Sequence, residues 1–335
     1  MKSKIRYLEV SVRRGRVIES RHRVHAVVAD PSGRVVRSWG DHRRPTMLRS
    51  AAKPFQALPL VADGAADHFG ISGEEIALCC GSHSSEESHV RVVRSILAKA
   101  GAGEELLVCG PHPPLSAARA EALAAAGTRP TPIMSNCSGK HAGMLALAAF
   151  HGWPLDGYES PAHPVQARMS REVSRWTGTD PSEMHSEVDG CGVPTFAVAL
   201  GDLARGAARL AAAGRVEGSS RRIVRAMVDH PFMVAGTGRL CTRLMEEERG
   251  RVFAKVGAEA VYMAGDLDRG LGVALKVEDG AWRAAPPALM AVLDLAGIVS
   301  PGAREALWPD FVEPVRTNTL GNEVGRITVE ERPCS

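Results

Sequence analysis

Apolar and polar residues alternate along residues 5–40, and two polar turn sequences, Arg14–Arg16 and Asp30–Gly33, interrupt the alternation. A period of two is typical of strands that bury one face, and clusters of glycine, proline, aspartate and serine mark the turns between strands. This part of the chain is therefore predicted to form antiparallel strands joined by tight turns.

A helical spacing of apolar residues begins near Ser50. Residues 51–61 predict a first helix, and a Ser84-x-x-Glu87 capping box predicts the start of a second helix over 86–100. The short apolar run Ile76–Cys80 between them is typical of a strand. The remaining predicted helices lie at 116–126 and at about 139–150, 164–176, 195–213, 219–229 and 286–297, and strands return at 251–256, 272–277 and 321–329.

Strands at both ends and a mainly helical middle predict an α/β (α+β) fold. We expect one antiparallel sheet, built from both termini and covered by helices, with a helical subdomain inserted between its halves. The sheet region is predicted at about 1–60 and 250–335 and the helical middle at about 61–249. No linker interrupts the sequence, so residues 1–335 are predicted to act as a single unit.

The composition is that of a globular protein, with 44% hydrophobic and 24% charged residues. A net charge of +3 with scattered basic residues argues against nucleic acid as a partner. No export signal and no 18-residue uncharged apolar run is found, so we expect a cytoplasmic protein that does not enter membranes. An odd number of dispersed cysteines predicts reduced thiols: Cys79, Cys80, Cys109, Cys137, Cys191, Cys241 and Cys334.

The first candidate chemistry is a Ser-x-x-Lys motif, Ser50 and Lys53. Residues three apart on a helix share a face, so a neutral lysine could take the serine proton. Pro54 requires the helix to begin close to Ser50, where the positive helix end would stabilise an oxyanion. Lys255 could be the nearby cation that keeps Lys53 neutral. The alternative is that Ser50 is only a helix cap.

A second serine candidate is Ser82, in the sequence Gly81–Ser84 after the apolar run. A strand, a glycine turn and a helix can present a reactive serine, with His83 beside it. The same geometry also suits a plain turn in which Ser82 or Ser84 caps the helix.

Two glycine-rich loops could together hold a metal ion. Zinc binds four nitrogen, sulfur or oxygen ligands, and Cys137, Cys191 and Asp189 could supply three of them, with Lys140 or His141 as the fourth. The spacings are not those of standard zinc motifs, so two buried structural cysteines are the alternative.

Another glycine-rich stretch, Gly236–Arg239, contains Thr237 and Gly238 and precedes a predicted helix ending at Glu246–Glu248. It lacks the lysine of a phosphate loop and the third glycine of a dinucleotide fingerprint, so no nucleotide or redox cofactor is expected. A backbone pocket for a substrate carboxylate is one interpretation, and a solvent-facing Arg239 that caps the helix is the other.

Taken together, these segments resemble the rhizobial-type L-asparaginase family. The resemblance runs through the whole chain and depends on the order of its most specific pieces, which are Leu48–Gln56, Cys80–His83, Asn136–His141, Asp189–Pro194 and Ala254–Glu259. It implies a fold like that of serine β-lactamases and glutaminases, and hydrolysis of the side-chain amide of L-asparagine by a homodimer.

The resemblance also implies two Ser/Lys pairs, Ser50 with Lys53 and Ser82 with Lys255. It implies zinc held by Cys137, Lys140 and Cys191, with Asp189 in or near the coordination shell. Residues predicted to bind substrate are Arg49, Gly81, His83, Thr237 and Gly238.

The resulting hypothesis is that Lys53 deprotonates Ser50, which attacks the amide, while Ser82 relays protons and zinc orders the site. Alternatives are a β-lactamase or peptidase-like acyl transferase, whose Ser-Asp-Asn and Lys-Thr-Gly partners are absent from the sequence, and a zinc-stabilised binding or sensor protein without activity. Glutamine is a competing substrate, since one methylene changes binding by only about 1–3 kcal/mol.

Overall fold

The alternating segment forms β1 (Arg6–Arg14), β2 (Val17–Ala29) and β3 (Val35–Trp39), as its period predicts. The computed structural model describes residues 6–333, so Cys334 lies outside the described residues. The later strands are β4 (Pro45–Met47), β5 (His185–Val188), β6 (Pro194–Ala199), β7 (Val252–Gly257), β8 (Val261–Asp266), β9 (Leu271–Val277), β10 (Val315–Thr317) and β11 (Glu323–Pro333).

An antiparallel sheet joins the two ends of the chain in the order β10-β11-β1-β2-β9-β8-β7, and β3 pairs with β2. In register, Arg6 lies opposite Pro333 and Val24 opposite Val277. All residues of β7 and β8 are buried, which is the pattern of strands covered on both faces. The predicted mixed α/β fold, with a sheet from both termini, is confirmed.

The helices are α1 (Lys53–Ala62), α2 (Ala65–His68), α3 (Gly73–Cys79), α4 (Glu87–Lys99), α5 (Ala117–Ala125), α6 (Ser138–His151), α7 (Pro164–Thr177), α8 (Leu200–Ala213), α9 (Ser219–Asp229), α10 (Pro231–Val234), α11 (Leu240–Glu247), α12 (Ala285–Leu295) and α13 (Pro301–Ala306). Short 3-10 turns and one π turn, Trp308–Val312, complete the regular structure of the described residues.

Two compact units divide the chain. The sheet unit comprises the described parts of Met1–Ala51 and Arg243–Ser335 together with Val198–Ala212. The helical unit comprises Ala52–Ala197 and Ala213–Thr242. Residues 198–212 therefore belong with the sheet, although their sequence pattern lies in the predicted helical middle.

Residues 198–212 belong with the sheet because α8 packs closely on it. A side chain at Gly272 of β9 would meet the backbone of Ala204 and Ala208 at 2.1–2.2 Å. Only glycine lets the alanine-rich face of α8 approach the strand this closely.

Helix α6 is the centre of the helical unit, because α1, α3, α4 and α7 all contact it. Every residue from Ser138 to Ala148 is buried. A Cβ atom at Gly139 would lie 2.6 Å from the carbonyl oxygen of Leu78 in α3. The helices that carry the candidate site are thus held together by a contact that only glycine allows.

The run Ile76–Cys80 is not a strand, and that prediction was wrong. It ends α3, which begins after a Ser72–Glu75 capping box. A short apolar run buried on all sides cannot be assigned to strand or helix from periodicity alone. The predicted Ser84/Glu87 box was also wrong, since Glu86 caps α4 with His89 as its partner.

Strand β6 occupies the first part of the predicted helix 195–213, and β5 pairs with it in an antiparallel ribbon. Strand β8 was not predicted from sequence. The six cysteines of residues 6–333 are buried, and none of them forms a disulfide. Within the same residues, no helix is long and apolar enough to cross a membrane.

Candidate active site

Ser50 lies in a 3-10 turn, Arg49–Ala52, that runs directly into α1. Pro54 occupies the first turn of α1, so the helix begins where the proline predicted. Arg49 has φ of 48°, a left-handed conformation that is uncommon for a residue with a Cβ atom. Such strain is concentrated at functional sites, and here it immediately precedes the candidate serine.

Lys53 is fully buried in the helical unit. Its amine donates to Ser82 Oγ at 3.1 Å and to the carbonyl oxygens of Gly81 at 2.5 Å and Asn136 at 3.3 Å. Burial lowers the pKa of Lys53, and the nearby Cys137 and Cys191 thiols offset only part of the lost hydration. The amine is thus placed to exchange a proton with Ser82.

The backbone of Ser82 is fixed on both sides. Its N–H donates to the carbonyl oxygen of Val234 at 2.8 Å, and its own carbonyl accepts from Arg239 at 2.6 Å. A Cβ atom at Gly81 would lie 2.5 Å from the carbonyl oxygen of Met233, so the neighbouring position requires glycine. The candidate serine is presented on a tightly anchored loop.

His83 stabilises the Ser82 loop from the protein interior and does not face solvent. The ring is completely buried, with Nε2 2.9 Å from Ser138 Oγ, while the Ser85 N–H donates to Nδ1. Since the Ser138 hydroxyl donates to Ile133, His83 Nε2 must carry the proton. Burial lowers the pKa of His83 well below its usual value, so the ring stays neutral. Its predicted substrate contact stays a prediction.

The predicted metal residues meet in one cluster. The amine of Lys140 lies 3.1 Å from Cys191 Sγ, which lies 3.7 Å from Asp189 Oδ2 and hydrogen-bonds with Cys137. The ring of His141 is directed elsewhere, with Nδ1 2.6 Å from the Tyr158 hydroxyl. Lys140, not His141, therefore contacts the thiols.

Charges within this cluster are complementary. The hydrogen bond from Cys191 lowers the pKa of Cys137 well below its usual value, and the Lys53 and Lys140 amines add to the effect. Burial lowers the pKa of Lys140, but the thiols and Asp189 outweigh it and raise the pKa above its usual value. A thiolate and an ammonium are the favoured pair.

These donors fit zinc. Bonds of about 2.3 Å to sulfur and 2.0–2.1 Å to nitrogen in a tetrahedron place neighbouring donors about 3.5 Å apart, close to the Lys140 to Cys191 spacing. Among residues 6–333, no group of three His, Cys, Asp or Glu side chains is arranged to hold a metal ion. A zinc site here would therefore depend on Lys140 as a ligand, after loss of its proton.

Lys255 lies on β7 of the sheet unit and is fully buried. Its amine donates to the carbonyl oxygen of Val256 at 2.6 Å. A Cβ atom at Gly257 would meet the Leu48 carbonyl oxygen at 2.8 Å, so the end of β7 lies against the segment leading to Ser50. Lys255 and Ser50, which are far apart in sequence, therefore lie on adjacent segments of the sheet unit.

The glycine-rich loop 236–239 is bound to the Ser82 loop. Glu86 accepts the Thr237 N–H at 2.9 Å and its hydroxyl at 2.7 Å, and Ser84 Oγ donates to the Ala235 carbonyl. Gly236 and Gly238 have φ of 115° and 68°, which the turn requires. The loop does hold a carboxylate, but that carboxylate is Glu86.

Sequence reasoning missed three residues of this site: Glu86, Ser138 and the carbonyl of Asn136. An acidic residue in the first turn of a helix is common, so Glu86 gave no distinctive signal. Ser138 lies within the segment Asn136–His141 but has no special spacing. The hydrogen bond between Lys53 and Ser82 was not predicted either, since Lys53 was paired with Ser50.

The model of one protein family, L-asparaginase II, matches residues 10–329. No curated protein matches the chain significantly. Among solved structures, a protein called Mglu, crystallised in its tris and glutamate form, is 15% identical with a TM-score of 0.46, over 82% of this chain and 59% of that chain. A β-lactamase from Mycobacterium bovis is 14% identical with a TM-score of 0.40, over 86% and 95%. The chain spans about three fifths of the length of Mglu.

Proposed function

The chain belongs to the L-asparaginase II family, and from this premise we propose that it is an amidohydrolase that converts L-asparagine to L-aspartate and ammonia. The observation that carries the proposal is the fully buried Lys53 amine, 3.1 Å from Ser82 Oγ. A lysine whose pKa is lowered by burial and which contacts a serine hydroxyl is equipped for acyl transfer.

In the proposed reaction, Ser50 is the nucleophile. Its hydroxyl oxygen attacks the side-chain carbonyl carbon, and its proton passes to Lys53, with Ser82 as relay. The C–N bond then breaks and the nitrogen leaves as ammonia with the proton from Lys53. Water then attacks the resulting ester and gives a proton to Lys53. The proton returns to the Ser50 oxygen through Ser82 as the ester bond breaks and aspartate is released. Lys255 is proposed to supply the nearby positive charge that keeps Lys53 neutral.

Zinc, when bound, would be held by Cys137, Lys140 and Cys191, with Asp189 near the coordination shell. It would order the two loops that carry these residues and help to orient the substrate. The thiol and amine spacing supports this proposal. The cytoplasmic location and the homodimer remain predictions.

Ammonia release from L-asparagine and L-glutamine tests the proposal, using wild type, Ser50→Ala and Ser82→Ala, each with and without added zinc. We expect release from asparagine by wild type and a loss of at least about 100-fold in Ser50→Ala. If Ser82→Ala alone abolishes turnover and Ser50→Ala does not, Ser82 is the nucleophile. No release by folded, zinc-replete wild type from either amide would refute the proposed activity.

A further inference from the structure

Arg239 is a cation without an acidic partner beside the Ser82 loop. Its Nη1 group donates to the carbonyl oxygens of Ser82 at 2.6 Å and Ala235 at 3.4 Å. Within residues 6–333, no carboxylate lies within 4.0 Å of its guanidinium. Guanidinium has five N–H donors in a rigid fork, so most of its binding capacity is unused by the described residues.

In the neighbouring glycine loop, the Thr237 donors already bind a carboxylate of the protein. The Thr237 N–H and hydroxyl both donate to Glu86, which fills the place of a ligand. A side chain at Gly236 would meet Glu86 Oε1 and Ser84 Oγ at 2.7 Å, so this side of the loop is fully packed. Donors for a carboxylate must come from another group.

The other side of the loop is open. A Cβ atom at Gly238 would meet no heavy atom of the described residues within 4 Å, and Thr237 and Gly238 are both exposed. Arg239 follows directly and is half-buried. The Arg239 side chain is thus partly accessible to solvent and lies next to the loop that presents Ser82.

We infer that Arg239 binds the α-carboxylate of the substrate. The inference rests on the proposed function and adds to it the residue that selects amides with a free α-carboxylate. One guanidinium edge is anchored to the Ser82 carbonyl, which fixes the fork with respect to the reactive loop. The other N–H groups form charge-assisted hydrogen bonds with the carboxylate.

The chemistry predicts a sharp specificity. An amide without the carboxylate leaves the Arg239 donors unpaired in a partly dehydrated site and is therefore a poor substrate. Both asparagine and glutamine satisfy the requirement, so Arg239 selects against simple amides rather than between these two amino acids.

The test compares L-asparagine with 3-aminopropanamide, which is asparagine without its α-carboxylate. For Arg239→Ala we expect kcat/KM for asparagine to fall about 10- to 100-fold, mainly through KM. We expect a much smaller change for 3-aminopropanamide, so the ratio of the two kcat/KM values collapses. Arg239→Lys should recover part of the ratio, because it keeps the charge but not the fork.

Ser84→Ala is the matched control. It removes the Ser84 to Ala235 hydrogen bond, which joins the same two loops, and leaves the guanidinium in place. A purely positioning role of Arg239 would lower activity on both substrates equally, as we expect for Ser84→Ala. An unchanged substrate ratio in Arg239→Ala, with active wild type, would overturn the inference but not the proposed function.

Calorimetry separates the inference from the activity. L-aspartate and 3-aminopropanoate differ only by the α-carboxylate, and their binding requires no turnover. If wild type hydrolyses neither amide but binds L-aspartate at least about tenfold more tightly than Arg239→Ala does, the inference stands while the proposed activity fails. Equal affinity of wild type and Arg239→Ala for L-aspartate, or no binding of L-aspartate by wild type, would refute the inference.

Discussion

Lys53 and Lys140 are both buried in the helical unit, but their surroundings differ in charge. Lys53 donates to a hydroxyl and two carbonyl oxygens and also hydrogen-bonds with Cys137. Lys140 hydrogen-bonds with Cys191 and has the charge of Asp189 nearby. Burial lowers the pKa of Lys53, and the anionic partners of Lys140 reverse that effect and raise its pKa.

The difference shows that burial alone does not decide the protonation of a lysine. Around Lys53 the thiols offset only part of the cost of dehydrating the ammonium, whereas around Lys140 the same thiols together with Asp189 outweigh that cost. One environment therefore favours an amine that can accept protons, and the other favours an ion pair that a metal could replace. Mutation of each lysine in turn can therefore test whether the two environments differ in this way.

The largest effect is expected from Lys53→Met on turnover. Removing the proton acceptor should lower kcat on asparagine by about 10²- to 10⁴-fold. Folding should change less, by about 1–3 kcal/mol, because the oxygen partners left behind are uncharged and the Lys140 amine still stabilises the Cys137 thiolate. Steady-state kinetics and urea unfolding measure the two quantities. Retained activity in Lys53→Met would show that Lys53 is not the proton acceptor.

Lys140→Met should have the larger effect on stability. It removes the ammonium beside Cys191 and Asp189, one of two cations that stabilise the Cys137 thiolate, and breaking such a buried charge network costs about 3–5 kcal/mol. Urea unfolding in the presence of a chelator, with Lys53→Met as the matched control, checks this. A smaller loss for Lys140→Met than for Lys53→Met would contradict the contrast between the two environments.

Gly139→Ala should weaken both environments together. The new methyl group would lie 2.6 Å from the Leu78 carbonyl oxygen and force α6 away from α3. We expect a loss of about 1–3 kcal/mol in unfolding free energy. Gly302→Ala in α13 is the control, because a Cβ atom there meets no described atom within 4 Å. Equal stability of the two variants would argue that α6 and α3 can separate without cost.

Zinc binding gives the smallest and most selective effect. Zinc should release protons from both Lys140 and Cys191 as they become ligands, and Cys191→Ala should weaken binding by at least about tenfold. Calorimetry in buffers of different ionisation enthalpy measures both. Cys109→Ala, which removes a buried thiol outside the proposed ligand set, is the control. Equal zinc affinity of Cys191→Ala and wild type would exclude this site.

The sheet and most helices could be predicted because their apolar periods are regular, as in Val17–Ala29 and Ser219–Asp229. Ile76–Cys80 could not, since a short run buried on every side has no readable period. In the site, Ser50 and Lys53 are marked by spacing within one turn. The contact of Lys53 with Ser82 spans 29 residues and depends on helix packing, which no local pattern encodes.

Tertiary packing also decided which donors of the glycine loop are available. The sequence marks Gly236–Arg239 as a site for an anion, but it does not show that Glu86 fills the backbone part of it. The Thr237 donors are taken, and we infer that the side chain of Arg239 binds the ligand instead. The sequence therefore located the feature while the fold determined its chemistry.

The pairing of β1 with β11 has a consequence for biosynthesis. Arg6 pairs with Pro333 and Val12 with Ile327, so one side of β1 lacks its partner until β11 has been translated. At about 5–20 residues per second, this interval lasts roughly 15 to 60 seconds. A nascent chain therefore exposes an unpaired strand edge at β1 for that time, and such an edge is a template for pairing with another chain.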